Sequence, residues 1–169
     1  MNTNEQVLRL VTFGVGNASY AADIACVERV LRHEGVHAIP GMPSWMEGVI
    51  AYQGRVVPVV DLRRRFGLAE RSGGAGGRLL VFTWGDDAIA AAVDRVVDVR
   101  TIAPGELAPP PRLASGPSAA FLRGMVRQGE AMVVVLDPMR LLSDEEQASL
   151  HDCIDAPAIE AADGRAPDA

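Results

Sequence analysis

Val57-Pro58-Val59-Val60-Asp61 returns later in the chain as Val133-Val134-Val135-Leu136-Asp137. Each is a short apolar run, mostly β-branched, that ends on an aspartate. That is the pattern of a buried strand entering a turn. The correspondence spreads outward. Gly48-Val49-Ile50 is matched by Gly124-Met125-Val126. Nearer the N-terminus, Arg9-Leu10-Val11-Thr12-Phe13 is matched by Arg78-Leu79-Leu80-Val81-Phe82. The same offset sets Gly16 on Gly85, Ala21 on Ala90, Val27 on Val96 and Val30 on Val99. Order is kept and spacing is nearly constant, which chance recurrence of valine-rich strands does not explain. Two similar β lobes follow, each a small barrel of about five strands. Neither would bury much surface alone, so the lobes should lean on each other.

Between these anchors the chain alternates Val-rich runs with Gly, Pro and Asp punctuation. Strands are expected at Leu8–Val15, Tyr20–Ala25, Val27–Arg32, Gly48–Tyr52, Val56–Leu62, Arg78–Trp84, Ala88–Val93, Val96–Ile102, Gly124–Arg127 and Met132–Leu136. Gly16-Asn17 and Gly85-Asp86-Asp87 read as hairpin turns, because Gly and Asn accept positive φ. The Gly-rich run 70–77 reads as a linker or loop between lobes at about 8–69 and 78–142. Pro104–Ser118, with its triple proline, reads as an irregular connection. Helical turns are expected after Pro43, at Ser44-Trp45-Met46, and at Leu62–Phe66. The clearest helix start is Ser143-Asp144-Glu145-Glu146, a capping box with acidic residues at the helix's positive end; the helix should run over 143–153. Residues 1–7 and 154–169 read as tails, the latter Ala/Pro/Asp-rich and disordered.

Composition narrows the function. The 169 residues are 49% hydrophobic, enough for a packed core. A net charge of −6 is wrong for a chain that would neutralise nucleic-acid phosphates. No run approaches the ~18 apolar residues that a spanning helix needs. Met1–Gln6 has neither basic nor apolar leader character, so the expected setting is the cytoplasm. Cys26 and Cys153 should then be reduced thiols without catalytic partners.

Several strings suggest chemistry. His33-Glu34-Gly35-Val36-His37 matches H-E-x-x-H, which binds zinc only on a helix, where both imidazoles share a face. Gly35 and Pro40-Gly41 argue for a surface turn instead, leaving a metal-dependent hydrolase using His33, Glu34 and His37 as the alternative of another class. Asp61 and Asp137 occupy equivalent places, like the paired aspartates of an acid protease. However, Leu62-Arg63 and Pro138-Met139 follow them where such a site needs small residues, so turn caps are expected. Gly73–Gly77 lacks the Lys-Ser/Thr of a phosphate loop. Arg63-Arg64-Arg65 reads as a solvated helix face that could meet an acidic partner. No catalytic set, metal or cofactor is expected. A cleft between lobes and apolar candidates at Trp45 and Met46 favour a binding module.

The stretch Gly48-Val-Ile-Ala-Tyr-Gln-Gly-Arg-Val-Val-Pro-Val-Val-Asp-Leu-Arg63 resembles the signature of bacterial chemotaxis coupling proteins, the CheW-like family. The resemblance extends through Tyr20–Val27, Val93–Val99 and Leu141–Glu146, covering roughly Leu8 to Cys153. It implies a mainly β fold of two SH3-like five-stranded barrels with a short C-terminal helix, 8–153 forming one domain. It also implies a non-enzymatic adaptor. Its partners would be the cytoplasmic tip of a methyl-accepting chemoreceptor and the regulatory domain of a CheA-type histidine kinase. A monomer would join receptor-array rings at the inner face of the membrane, without inserting into it. Val27, Arg29, Gln53 and Val56 fall at the family's receptor-contacting groove; the apolar Trp45 and Met46 could supply a kinase-facing patch or equally pack into their own lobe. The family usually has Glu at Arg29 and Arg at Gln53, which pair. With both changed, the groove's polarity is altered, which suits a different receptor or a non-flagellar pathway such as surface sensing, pili or a second messenger.

Overall fold

The computed structural model describes residues 7–68, 77–110 and 121–154. The terminal tails and most of the Gly-rich run 70–77 lie outside the described residues, as does the second half of the Pro-rich connection. Ten strands lie among the described residues: β1 (Leu8–Val15), β2 (Ala18–Asp23), β3 (Val27–Arg32), β4 (Met46–Tyr52), β5 (Arg55–Asp61), β6 (Arg78–Trp84), β7 (Asp87–Val93), β8 (Arg95–Ile102), β9 (Leu122–Gln128) and β10 (Ala131–Leu136). Two helices join them, α1 (Leu62–Arg65) and α2 (Asp144–Ile154). The segment around Ser44 forms a turn closed by the Met46 amide on the Pro43 carbonyl, not a helix. Each strand lies within a residue or two of its expected place. Val-rich runs between turn residues have few other ways to satisfy their backbone while burying alternate side chains.

The strands form two five-stranded sheets, ordered β8-β1-β2-β10-β9 and β3-β6-β7-β5-β4. Replacing each strand by its counterpart in the repeat turns one order into the other. The duplication is therefore structural as well as textual. Each sheet has one parallel pair, β10 with β2 and β5 with β7. Matching bulges recur: one near Glu28 where β3 meets β6, another near Val97 where β8 meets β1. The chain beyond the outer strand bridges back in each sheet, His37 to Val49 and Ala108 to Met125. These bridges bring the open edges together, as a small barrel requires.

The lobes do not divide at the Gly-rich run. β1 and β2 pair with β8, β9 and β10, whereas β3 to β5 pair with β6 and β7. The chain leaves one sheet at the 3-10 turn Ile24–Cys26 and returns at Asp94. Lobes at about 8–69 and 78–142 are thus replaced by interleaved sheets. The reason is physical: equivalent strands of the two copies present equivalent faces, so pairing within or across copies buries the same surface.

Three cores result. One fills the β3–β7 sheet with Ile50, Tyr52, Val57, Val59, Leu79 and Val81. Another fills its counterpart with Leu10, Ala21, Ile102, Val126, Val133 and Val135. The largest draws Phe13, Val60, Leu62, Leu80, Phe82, Phe121 and Leu150 from both sheets and both helices. Along β6, Leu79 and Val81 serve one core while Leu80 and Phe82 serve another, the period-two alternation of a strand buried on both faces.

Candidate functional site

The expected groove residues sit on two elements of one sheet. Val27 and Arg29 lie on β3, Gln53 in the β4–β5 turn and Val56 on β5. These strands are at different places in the sheet order, yet a polar contact joins them. The Glu28 carboxylate accepts from Thr83 Oγ1 at 3.1 Å, and from the Tyr52 hydroxyl and an Arg55 guanidinium nitrogen at 3.5 Å each. Glu28 is the bulge residue between the pairs Val27–Phe82 and Arg29–Val81. A bulge leaves one residue out of the ladder and re-aims its side chain. Glu28, Tyr52, Arg55 and Thr83 therefore hold β3 against the β4–β5 hairpin. No motif in the sequence singles out this group.

Val27 and Val56 are half-buried, and Arg29 and Gln53 are exposed. Gln53 has φ 50°, the one non-glycine residue with positive φ among the described residues. With Gly54 at φ 75° it makes the tight hairpin turn that follows β4. Strain of this kind costs about 1–3 kcal/mol and tends to persist where the surroundings over-determine it, often at functional sites.

The other strings resolve differently. His33 lies in a bend and His37 in an isolated β-bridge, and Gly35 has φ 75°, so the H-E-x-x-H string has no helical face. His33 Nε2 contacts Glu47, and the His37 backbone pairs with Val49. No group of three His, Cys, Asp or Glu converges on a metal site among the described residues. Asp61 and Asp137 are turn caps, accepting from the Arg63 amide at 2.9 Å and the Met139 amide at 3.1 Å. Burial foremost, and then the Asp23 and Asp137 charges, push the Cys26 thiol up, which keeps it a poor nucleophile. Cys153 falls in α2, its side chain outside the described ones.

Of the arginine run only Arg64 faces solvent, its side chain 42% exposed. Arg63 and Arg65 side chains are 19% and 12% exposed. Arg63 reaches both Asp94 oxygens, at 3.1 and 2.7 Å, and Asp94 also accepts from the Gly16 amide. That ties α1 to the β1–β2 turn of the other sheet. Arg65 grips Glu146 of α2 at 3.0 and 2.7 Å and lies over the Trp45 and Phe121 rings, 4.4 and 5.5 Å from their centroids. Trp45 and Met46 are not an exposed apolar pair. Met46 is 5% exposed within the central core, and Trp45 is half-buried under Arg65. Both line a recess of about 380 Å³ between the 41–46 segment and α2.

A family model described as the CheW-like domain matches residues 9–146. The chain belongs to that family. It is 29% identical to the chemotaxis protein CheW of Treponema pallidum over 89% of this chain and 91% of that protein. With CheW of Klebsiella aerogenes the identity is 31%, over 80% and 82%. With the FrzA protein of Myxococcus xanthus it is 29%, over 82% and 87%. Among solved structures, the scaffolding protein TtCheW of Thermoanaerobacter tengcongensis superposes with a TM-score of 0.76 at 26% identity, covering 83% of this chain and 96% of that one. CheW-like proteins are non-enzymatic scaffolds. No helix among the described residues is long and apolar enough to cross a membrane. In this CheW-like chain, the sites where the resemblance leads one to expect Glu and Arg hold Arg29 and Gln53. The ion pair of the region is the neighbouring one, Glu28 with Arg55.

Proposed function

We propose that this chain is a chemosensory adaptor that couples a chemoreceptor to a CheA-type histidine kinase. The receptor's cytoplasmic tip lies over Val27, Arg29, Gln53 and Val56, and the kinase's regulatory domain packs elsewhere on the barrels. The chain joins receptor arrays at the inner face of the membrane as a monomer in a ring. Heterologous contacts between unlike surfaces close into rings in this way. The observation that carries the reading is the Glu28 contact, which draws β3 and the β4–β5 hairpin into one surface with two half-buried valines. Strand and hairpin held together with half-buried valines suit contact with a protein partner. Holding both partners would raise their effective concentration and fix their geometry.

In the sequence, Trp45 and Met46 are the apolar candidates for a kinase-facing patch. With Met46 in the core, Trp45 and the rim of the α2 recess carry that part of the proposal. Calorimetric titration with the regulatory domain of the CheA-type kinase from the same organism tests the adaptor role. Saturable binding at micromolar affinity is expected. Absence of binding to every such domain would leave a barrel scaffold without its kinase.

A further inference from the structure

At the recess between the 41–46 segment and α2, the central core reaches the surface. Met46 and Leu150, both members of that core, line it together with half-buried Met42 and Trp45, which pack against the core. Exposed Glu145 and Ser149 lie on its α2 side. Glu146 also lines it, but Arg65 engages both of its carboxylate oxygens. Glu145 makes no hydrogen bond or ion pair with any described residue. The recess, about 380 Å³, is therefore apolar-walled with one uncommitted carboxylate beside it.

An occupant that fills the recess removes these apolar side chains from water and also strips water from Glu145. A carboxylate desolvated without a counter-charge is strongly unfavourable, whereas a lysine or arginine offsets that cost through a charge-assisted hydrogen bond. The chain's own sequence beyond α2 is poorly matched to this demand: residues 155–169 carry Asp155, Glu160, Asp163 and Asp168 against Arg165 alone. A second copy brings a net charge of −6 toward another of −6. A different protein, basic where it meets Glu145, suits both the walls and the charge.

We propose that the regulatory domain of the kinase docks here by seating one large apolar side chain in the recess, flanked by a lysine or arginine that pairs with Glu145. The inference rests on the rim of the recess facing the kinase, and it adds the chemistry of the contact. The apolar anchor supplies most of the affinity, as side chains buried in interface pockets do. Glu145 sets specificity: it rewards a basic neighbour to that anchor and rejects an acidic one.

The test titrates the full chain with the regulatory domain of the CheA-type kinase from the same organism. Wild type is compared with Ser149→Ala, Ser149→Trp, Glu145→Gln and Glu145→Lys, each checked for its β signal by circular dichroism. Ser149 is exposed, so a tryptophan there obstructs the recess without entering the core. Ser149→Trp should weaken binding at least about tenfold, while Ser149→Ala binds like wild type. Glu145→Lys should weaken it about tenfold and Glu145→Gln less, with the wild-type affinity falling as salt rises. One basic residue of the kinase domain changed to Glu should restore binding to Glu145→Lys and weaken it for the wild type. If Ser149→Trp weakens binding while both Glu145 variants bind like wild type, the recess holds the kinase and the charge pairing is overturned. If all four variants bind like wild type, the kinase docks elsewhere and the inference falls while the adaptor role stands. A dimer in sedimentation that Ser149→Trp disperses, or a kinase affinity that rises when residues 155–169 are removed, overturns the inference by assigning the recess to a second copy or to the chain itself. Lack of wild-type binding to every such domain overturns the adaptor role and the inference together.

Discussion

Gly48 and Gly124 occupy matching places in the repeat, and neither has room for a side chain. A Cβ on Gly48 would lie 2.2 Å from the His37 carbonyl oxygen, and one on Gly124 2.5 Å from that of Ala108. Those two oxygens belong to the bridges that bring each sheet's outer strands together. Gly48 also has φ 150°, a conformation that side-chain-bearing residues rarely adopt. Alanine at either position should push the closing segment away from the sheet. The expected cost is about 2–4 kcal/mol at Gly48 and about 1–3 kcal/mol at Gly124, read as shifts of the urea midpoint at constant slope. Shifts under about 0.5 kcal/mol at both would mean that the bridges yield freely. The sequence shows that these glycines correspond but not why they are glycines, because the atoms they avoid are backbone atoms of a distant segment. Glu28 was invisible for a related reason. An acidic residue in a strand carries no signal of its own until the bulge and the hairpin bring Thr83, Tyr52 and Arg55 to it.

Among the elements, α1 and α2 show where a correct local reading misses the global role. The Ser143 capping box is present as expected: Glu146 N donates to Ser143 Oγ at 3.1 Å, and Ser143 N to Glu146 at 2.8 Å. The second duty of Glu146, its bond to Arg65, depends on α1 and α2 meeting in space. For the same reason the arginine run looked solvated: Asp94, Glu146 and the Trp45 ring are all distant in sequence. Burial works against the Glu146 charge, but the Arg65 hydrogen bond, the Ser143 amide and the Arg65 charge outweigh it and hold this carboxyl below its ordinary value. A carboxyl depressed in the folded state stabilises above its unfolded pKa and loses that stabilisation as pH falls through the folded one. Glu146→Gln keeps the cap and removes the charge. It leaves Arg65, largely buried with its Nε unpartnered among the described residues, without a counter-ion. A loss of about 1–3 kcal/mol is expected at neutral pH, discounted because Glu146 is partly exposed. The difference between variant and wild-type melting temperatures should shrink as the pH drops below the ordinary carboxylate range. A difference independent of pH would assign the effect to packing instead.

At the scale of the molecule, the repeat was legible but its pairing was not. Sequence similarity identifies which strands are equivalent. It does not say whether a strand pairs with its own copy or the other, since both arrangements satisfy the same alternating pattern. The consequence is mechanical. β1 to β5 contribute two strands to one sheet and three to the other, and β6 to β10 do the reverse. A cut in the Gly-rich run 70–77 therefore severs neither sheet from its core. It separates two peptides that each lack strands needed to complete both barrels, and the central core draws on both. A protease site placed at Gly74 should give a nicked protein whose pieces co-migrate on size exclusion and melt in one transition, at a lower temperature than the intact chain. The drop reflects association becoming bimolecular, so the midpoint should rise with protein concentration. Denaturing separation should leave each piece unfolded by circular dichroism, and mixing should restore the β signal. Two independent folded pieces, or two transitions, would contradict the interleaved topology and reinstate consecutive lobes. A partner groove assembled on β3 and the β4–β5 hairpin draws all its named residues from one side of that cut, yet among the described residues the strand that β3 pairs with is β6, from the other side. The nicked pieces alone should then bind no receptor fragment, and the recombined pair should bind as the intact chain does.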